Sequence, residues 1–298
     1  MINSYKNVYI GSHGICYNKD GTIIPSTLDA YNDFNGSTAW PDENISFNPS
    51  RPVAQLPDHH YIHLLHPYNI HVWGHFREIL TQLYFFQEEK FSDFKLLVNP
   101  SHFGEDNRDF HFKCFGYEHK VAKIQPSPRA DLPYYKVSSL HQVKHDLSKY
   151  PSLLHLQYMR NKWFKELRLP PEKNLKKVYV SRVGSPTKRP IKNEREVINF
   201  LKSKGFYIFT GNETFRDQAL LFRDAEMIIG AHGAAFFNVL FCNHNPRILE
   251  ICPHNREVHM WRCQAETLGL DQYQVTTEPA DNNFSFSIPL NLIKRFIR

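Results

Sequence analysis

Cysteine is scarce in this chain, and none of it is spaced for chemistry. Five cysteines occur in 298 residues, Cys16, Cys114, Cys242, Cys252 and Cys263, an odd number, scattered and never as CxxC. That excludes a disulfide framework and a zinc knuckle, and leaves free buried thiols in a reducing compartment as the expectation. No apolar run approaches the roughly 18 residues that a membrane span requires. The opening MINSYKNVYI has no basic-then-apolar leader pattern. A soluble, cytoplasmic protein with no membrane span is therefore expected. Runs of Lys and Arg are also missing: the formal charge of +6 and pI of about 8.9 are spread along the chain. This argues against a nucleic-acid partner and leaves a mild preference for anionic ligands. Internal repeats and low-complexity tracts are absent.

What is present is enough apolar material, 41% hydrophobic with 14% aromatic, for one large domain or two medium ones. The organisation changes near residue 170. Up to there, short apolar pieces separated by Pro, Gly, Asn and Asp read as irregular strands and turns. The periodicity predicts a helix over 75–90, with Phe76, Ile79, Leu80, Leu83 and either Phe85 or Phe86 on its apolar face. Strands are predicted from Phe94 and from Val121. A helix over 151–169 carries Leu154, Tyr158 and Leu167, and RLPPEKN stops it and reads as a linker. Two domains are thus expected, 1–170 and 171–298.

Beyond the linker, strand and helix patterns alternate. VYVSR (178–182) leads to a helix over 193–205, YIFTG (207–211) to a helix over 214–225, and MIIGAHG, RILEIC and YQVTT supply further strands. Such alternation with short loops implies a parallel sheet covered on both faces, an α/β class. The last segment, PLNLIKRFIR, reads as a helix packed on the surface or back across the linker onto the N-terminal domain. In open sheets of this kind, ligands bind beyond the carboxyl ends of the strands, where helix N-termini present N–H donors. His232, Gly233 and Glu250 are expected at such ends, which points to a ligand bearing phosphate and ribose.

The order of blocks through 178–253 resembles the family 61 glycosyltransferases. They are Ser181-Arg182, Arg189 with Asn193-Glu194, Asp217-Gln218 with Leu221-Phe222 and Ala225, Gly230-Ala231-His232-Gly233-Ala234 with Asn238, and Leu249-Glu250-Ile251 with Pro253. A fainter N-terminal match runs from Tyr68-Asn69 through Gly74-His75-Phe76 to Glu78. Ala235, Phe236 and Phe237 depart from the Gly-Leu-Thr of many members. The resemblance implies a GT-B architecture, two Rossmann-like domains facing across a cleft. It also implies inverting transfer of xylose, arabinose or N-acetylglucosamine from a UDP-sugar to a glycan acceptor. UDP-xylose is the expected donor, with UDP-N-acetylglucosamine next.

The residues themselves fit a metal-free donor site, since the chain contains no Asp-x-Asp. The leaving diphosphate then needs Arg, Lys or N–H donors. Arg182 at a strand end, with Lys188 and Arg189 in the following loop, can supply them, or can be ordinary surface cations. His232 either donates to a phosphate or sugar oxygen or holds the turn. Gly233 and Ala234 permit close backbone approach, as a phosphate cradle or a tight turn. Glu250 suits ribose hydroxyls or any neighbouring Arg. Asn193, Gln218 and Asn238 match the motif, with capping and packing as their competing roles.

An inverting transfer also needs a general base, expected from the N-terminal domain. His75 is the first candidate, Glu78 one turn on is the base or its orienter, and His13 and Asp58 are outside candidates. A different class of function comes from His59, His60, His63, His66, His71 and His75 in one segment. Here His71 and His75 have the i, i+4 spacing of a zinc hydrolase, but HVWGH lacks the catalytic Glu of HExxH. A noncatalytic nucleotide- or carbohydrate-binding module is the third reading.

Overall fold

The computed structural model describes residues 2–11, 14–27, 46–65, 80, 82–86, 93–98, 105–124, 133–143, 152–171, 175–184, 190–256, 260–282 and 285–298, with 105–109, 256 and 260 described by backbone alone. The chain divides into two compact units, Met1–Lys149 and Tyr150–Arg298. No helix among the described residues is long and apolar enough to cross a membrane.

The first unit is built on a seven-stranded mixed sheet. Its strands are β1 (Ile2–Ile10), β2 (Cys16–Tyr17), β3 (Val53–Gln55), β4 (His60–His63), β5 (Phe94–Val98), β6 (Val121–Lys123) and β7 (Tyr134–Val143). They run in the order β2-β1-β7-β4-β5-β6, with β3 also on β7. β4 to β7 are mutually parallel, whereas β1 lies antiparallel to β7 over nearly its whole length. The strands expected at 94 and 121 are β5 and β6. β1 gives little sequence signal because its first residues are polar and partly exposed, and only Val8 and Ile10 reach the core. Of the helix expected over 75–90, the described part ends in a 3-10 turn, Leu83–Phe86. Leu80, Leu83 and Phe86 are buried there while Phe85 is exposed. That assigns the apolar face to Phe86. Tyr17, Tyr61 and Tyr134 are fully buried, so these N-terminal aromatics serve the core.

The second unit opens with α2 (Leu153–Leu167), the first unit holding α1 (Glu105–Cys114). Five strands follow, β8 (Lys176–Val180), β9 (Phe206–Phe209), β10 (Ala225–Ala231), β11 (Arg247–Pro253) and β12 (Gln272–Thr277). They form a wholly parallel sheet in the order β12-β11-β10-β8-β9. α3 (Glu194–Ser203), α4 (Phe215–Arg223), α5 (Met260–Thr267) and α6 (Leu290–Phe296) surround it, and a 3-10 segment covers Ala234–Phe241. Strand periodicity puts Tyr179, Ile229, Ala231, Leu249 and Ile251 into one core with Val197, Leu201 and Ile293. α6 thus packs on its own unit's sheet through Ile293.

α2 belongs to this unit because Trp163, wholly buried, sits among Phe215, Phe237 and Phe241 at ring separations of 5.4 to 5.9 Å. The division therefore falls ahead of the helix and not at the prolines after it; Arg223 donates from Nη1 to the Pro170 carbonyl at 2.6 Å and ties that segment down. The buried stripe is Leu156, Met159, Trp163 and Leu167, while Leu154 is 61% exposed. Trp163→Ala should cost about 3–5 kcal/mol, and Leu154→Ala less than about 0.5 kcal/mol. Urea unfolding of the two variants checks this assignment, and equal losses would refute it.

Candidate functional site

In chain order the parallel sheet reads second-first-third-fourth-fifth, so the connections leaving β8 and leaving β10 run to opposite sides. The crevice beyond the carboxyl ends of β8 and β10 is the topological switch point where open α/β sheets take their ligands. β8 delivers Ser181 and Arg182 to it, and β10 delivers His232 and Gly233.

Arg182 is held by its backbone. The Glu194 carboxylate, 6% exposed at the first turn of α3, accepts the Arg182 N–H at 2.6 Å and the Ser181 hydroxyl at 2.9 Å through Oε1. The Tyr179 hydroxyl reaches the same oxygen at 3.3 Å. Burial, reinforced by this carboxylate, pushes the Tyr179 phenol well above its ordinary value. The strand end is thereby fixed while the guanidinium extends over the neighbouring turn. A Cβ on Gly233 would lie 3.0 Å from Arg182 Nη1 and 3.3 Å from its Cζ. Gly233 is extended there, at φ 170°, so glycine is wanted for space and not for a left-handed turn. Ala234 follows as the first residue of the 3-10 segment, whose leading N–H groups face back toward the strand end.

Beneath this corner lies a buried charge. Gly230 is paired with Glu250, and Glu250 with Gln274, across three adjacent strands. By strand alternation His232, two residues past Gly230, shares their face. Glu250 is completely buried. Its Oε1 is 2.6 Å from His232 Nδ1, and its Oε2 accepts from Gln272 Nε2 at 2.7 Å and Gln274 Nε2 at 3.2 Å. The two glutamine amides donate to Oε2, and an ionised Glu250, which can only accept, places the proton shared with His232 on Nδ1. Glu250 is therefore not at a strand end: β11 continues to Pro253, and both of its oxygens are already engaged within the unit. It serves His232 from below.

Other motif residues are also turned inward. Asn193 closes a two-point amide clamp on Ile288, donating to its carbonyl and accepting its N–H, both at 2.9 Å. Gln218 and Asn238, each nearly buried, are paired at 3.1 Å, and Gln218 donates to the Glu213 carbonyl. These contacts brace α3, α4 and the 3-10 segment around the switch point. Lys188, Arg189, His75, Glu78 and His13 lie outside the described residues, and Asp58 is exposed ahead of β4.

The described histidines of the N-terminal cluster do not converge. His59 faces Asp93 at 3.3 Å, His60 meets His141 at 3.0 Å, and buried His63 bonds the Gly14 carbonyl at 2.7 Å. Burial holds the His63 ring below its ordinary value, and burial together with neighbouring His60 does the same to His141. Among the described residues, His232, Glu250 and Cys252 are a trio with ligand atoms within 4.8 Å of one another. Two ligands on one tetrahedral zinc stand about 3.3 Å apart, from bond lengths near 2.0 Å. The 2.6 Å between Nδ1 and Oε1 is instead a hydrogen bond.

The family model described as Glycosyltransferase 61 matches residues 61–249, spanning both units and every block around the switch point up to β11. The chain belongs to glycosyltransferase family 61. No curated protein matches it. Membership makes this a transferase, with a nucleotide-sugar donor and a glycan acceptor as its class of substrates. Of the family 61 residues named from sequence, the structure brings Arg182, His232, Gly233 and Ala234 to one corner. It gives Glu194, a motif residue without a sequence-based role, the task of fixing a strand end, and adds Gln272 and Gln274, which sequence reading missed. The Gln-x-Gln alternation in β12 was the available signal, since two amides on the inner face of a half-buried edge strand need acceptors.

Two substitutions separate the supports of this corner. Glu194→Ala strands the Ser181 hydroxyl and the Arg182 N–H and should lower stability by about 1–3 kcal/mol. Gly233→Ala should change it by less than about 1 kcal/mol, because the nearest atom is the end of a long flexible side chain. Denaturant titration of both, in the absence of ligand, tests the contrast.

Proposed function

We propose that the second unit carries the donor site of an inverting, metal-independent transferase that moves a sugar from a UDP-sugar to a hydroxyl of a glycan. The observation that carries this is the meeting of the Arg182 guanidinium, the Gly233 turn and a carboxylate-backed His232 at the switch point of a parallel sheet. A nucleoside diphosphate leaving group needs stabilising positive charge and N–H donors in a partly dry site. Arg182, His232 and the first N–H groups after Gly233 are groups of that kind, and Lys188 and Arg189 follow within a few residues of chain. No metal cofactor is required in this reading. UDP-xylose is the donor proposed first and UDP-N-acetylglucosamine second, on family resemblance.

The same reading takes the two units as the halves of a GT-B enzyme, with the acceptor and the general base on the first. His75 is the proposed base and Glu78 its partner. All five cysteines are free, and burial pushes the Cys242 thiol up to about 12. Inert reduced thiols suit a cytoplasmic setting.

Calorimetry in EDTA tests the donor site. UDP is expected to bind with micromolar affinity, and Arg182→Ala to weaken it about 10- to 100-fold, the worth of a charge-assisted bond to phosphate. Binding that returns only with Mn²⁺ would overturn metal independence, and no binding in either condition would remove the donor site itself. Separately, His75→Ala should retain UDP binding and lose transfer; unchanged turnover would take His75 out of the mechanism.

A further inference from the structure

Resting on that donor-site reading, we propose that Glu250 is a positioning residue which, with Gln272 and Gln274, holds His232 with Nδ1–H turned inward and Nε2 turned to the departing diphosphate, where Nε2 takes up a second proton from solvent as the diphosphate binds. The inward half of this arrangement follows from contacts already described. A wholly buried carboxylate is costly unless every lone-pair direction finds a donor. Here Oε2 takes two glutamine amides and Oε1 takes the imidazole at 2.6 Å. The ionised carboxylate can only accept, so the shared proton belongs to Nδ1.

The outward half follows from the ring. The two nitrogens of an imidazole diverge, so fixing Nδ1 on Glu250 sends Nε2 away from the carboxylate. His232 retains 11% side-chain exposure while Glu250 has none. Immediately after it, Gly233 lies under the Arg182 guanidinium, so the two cation-bearing groups flank one short piece of backbone. The backbone of His232 is itself pinned, its N–H donating to the Ile251 carbonyl at 2.9 Å. A ring fixed at both its backbone and its Nδ1 is the preorganised donor that leaving-group stabilisation needs.

The chemistry balances with one proton taken from solvent. The bond from the anomeric carbon to the phosphate oxygen breaks and its electron pair stays on that oxygen. The acceptor oxygen forms the new bond to the anomeric carbon and gives its proton to a base outside this pair. In the proposed complex the Nε2 proton enters from solvent with the diphosphate and returns to solvent when UDP leaves, while Nδ1 keeps its own. His232 holds the Nε2 proton to the oxygen that gains charge, and Glu250 balances the ring from below.

The test is the nitrogen spectrum of the full-length protein labelled with ¹⁵N-histidine, with His232→Gln used only to assign the ring. The free protein should show His232 protonated at Nδ1, and UDP should move the Nε2 resonance while leaving Nδ1 protonated. In Glu250→Gln the ring should no longer be held in one form, and UDP affinity should fall about 10- to 100-fold, as when one charge-assisted bond to phosphate is lost. A His232 ring protonated only at Nε2 in the free protein would overturn the proposal. So would UDP saturating the protein with no movement of Nε2. Because wild-type spectra decide these points, the test stands even where a Glu250→Gln variant fails to fold. If the wild-type protein binds no UDP, the donor site falls and with it the leaving-group role, while the free-protein spectrum still decides whether Glu250 sets the ring.

Discussion

A carboxylate with no access to water, in the middle of a central strand, is the constraint around which the second unit is arranged. Glu250 cannot be accommodated there by packing alone, since an uncompensated buried charge would cost several kcal/mol. Its neighbours are therefore prescribed: two glutamines on β12 and an imidazole two residues past the Gly230 pairing position. A Cβ at Gly230 would lie 2.6 Å from the Val180 Cβ on the other side. The register of three parallel strands is thus tied to one charge, because slipping any of them by a single residue would turn its polar partner to the opposite face.

A second carboxylate repeats the logic at the other side of the switch point. Glu194 collects the Ser181 hydroxyl, the Arg182 N–H and the Tyr179 hydroxyl, and so joins the start of α3 to the end of β8. Neither acid reaches toward a ligand. Both act on the residues proposed to do so, one through a backbone and the other through a ring. In the proposed donor site Arg182 and His232 are thereby placed by acids that lie behind them, which keeps negative charge out of the space proposed for a diphosphate.

How much of this the sequence carried depends on whether the pattern was local. The alternation after residue 170, the parallel sheet and the strand ends at Arg182 and His232 all followed from short-range periodicity and from the blocks shared with family 61. Leu154 and the boundary of the second unit did not, because the burial of Trp163 is decided by three phenylalanines more than fifty residues away. Nor could sequence tell that Glu250 stops short of its strand's end, since RILEICP does not reveal where the strand finishes. Asn193, Gln218 and Asn238 of the motif blocks are engaged in contacts within the unit. Motif membership alone does not separate bracing from binding. β1 stayed hidden because a mostly polar strand is held by its pairing to β7 and not by its own apolar pattern.

The doubly anchored His232 has one further consequence. A ring whose peptide is locked in the sheet and whose inner nitrogen is bonded to a group with no solvent exposure has no alternative rotamer within reach that preserves both bonds. This part of the protein is consequently preformed, and its shape before and after a ligand arrives should coincide. Any slow step that accompanies recognition must then originate elsewhere in the chain, and the heat of binding at this corner reports contacts made, with little contribution from structure rearranged.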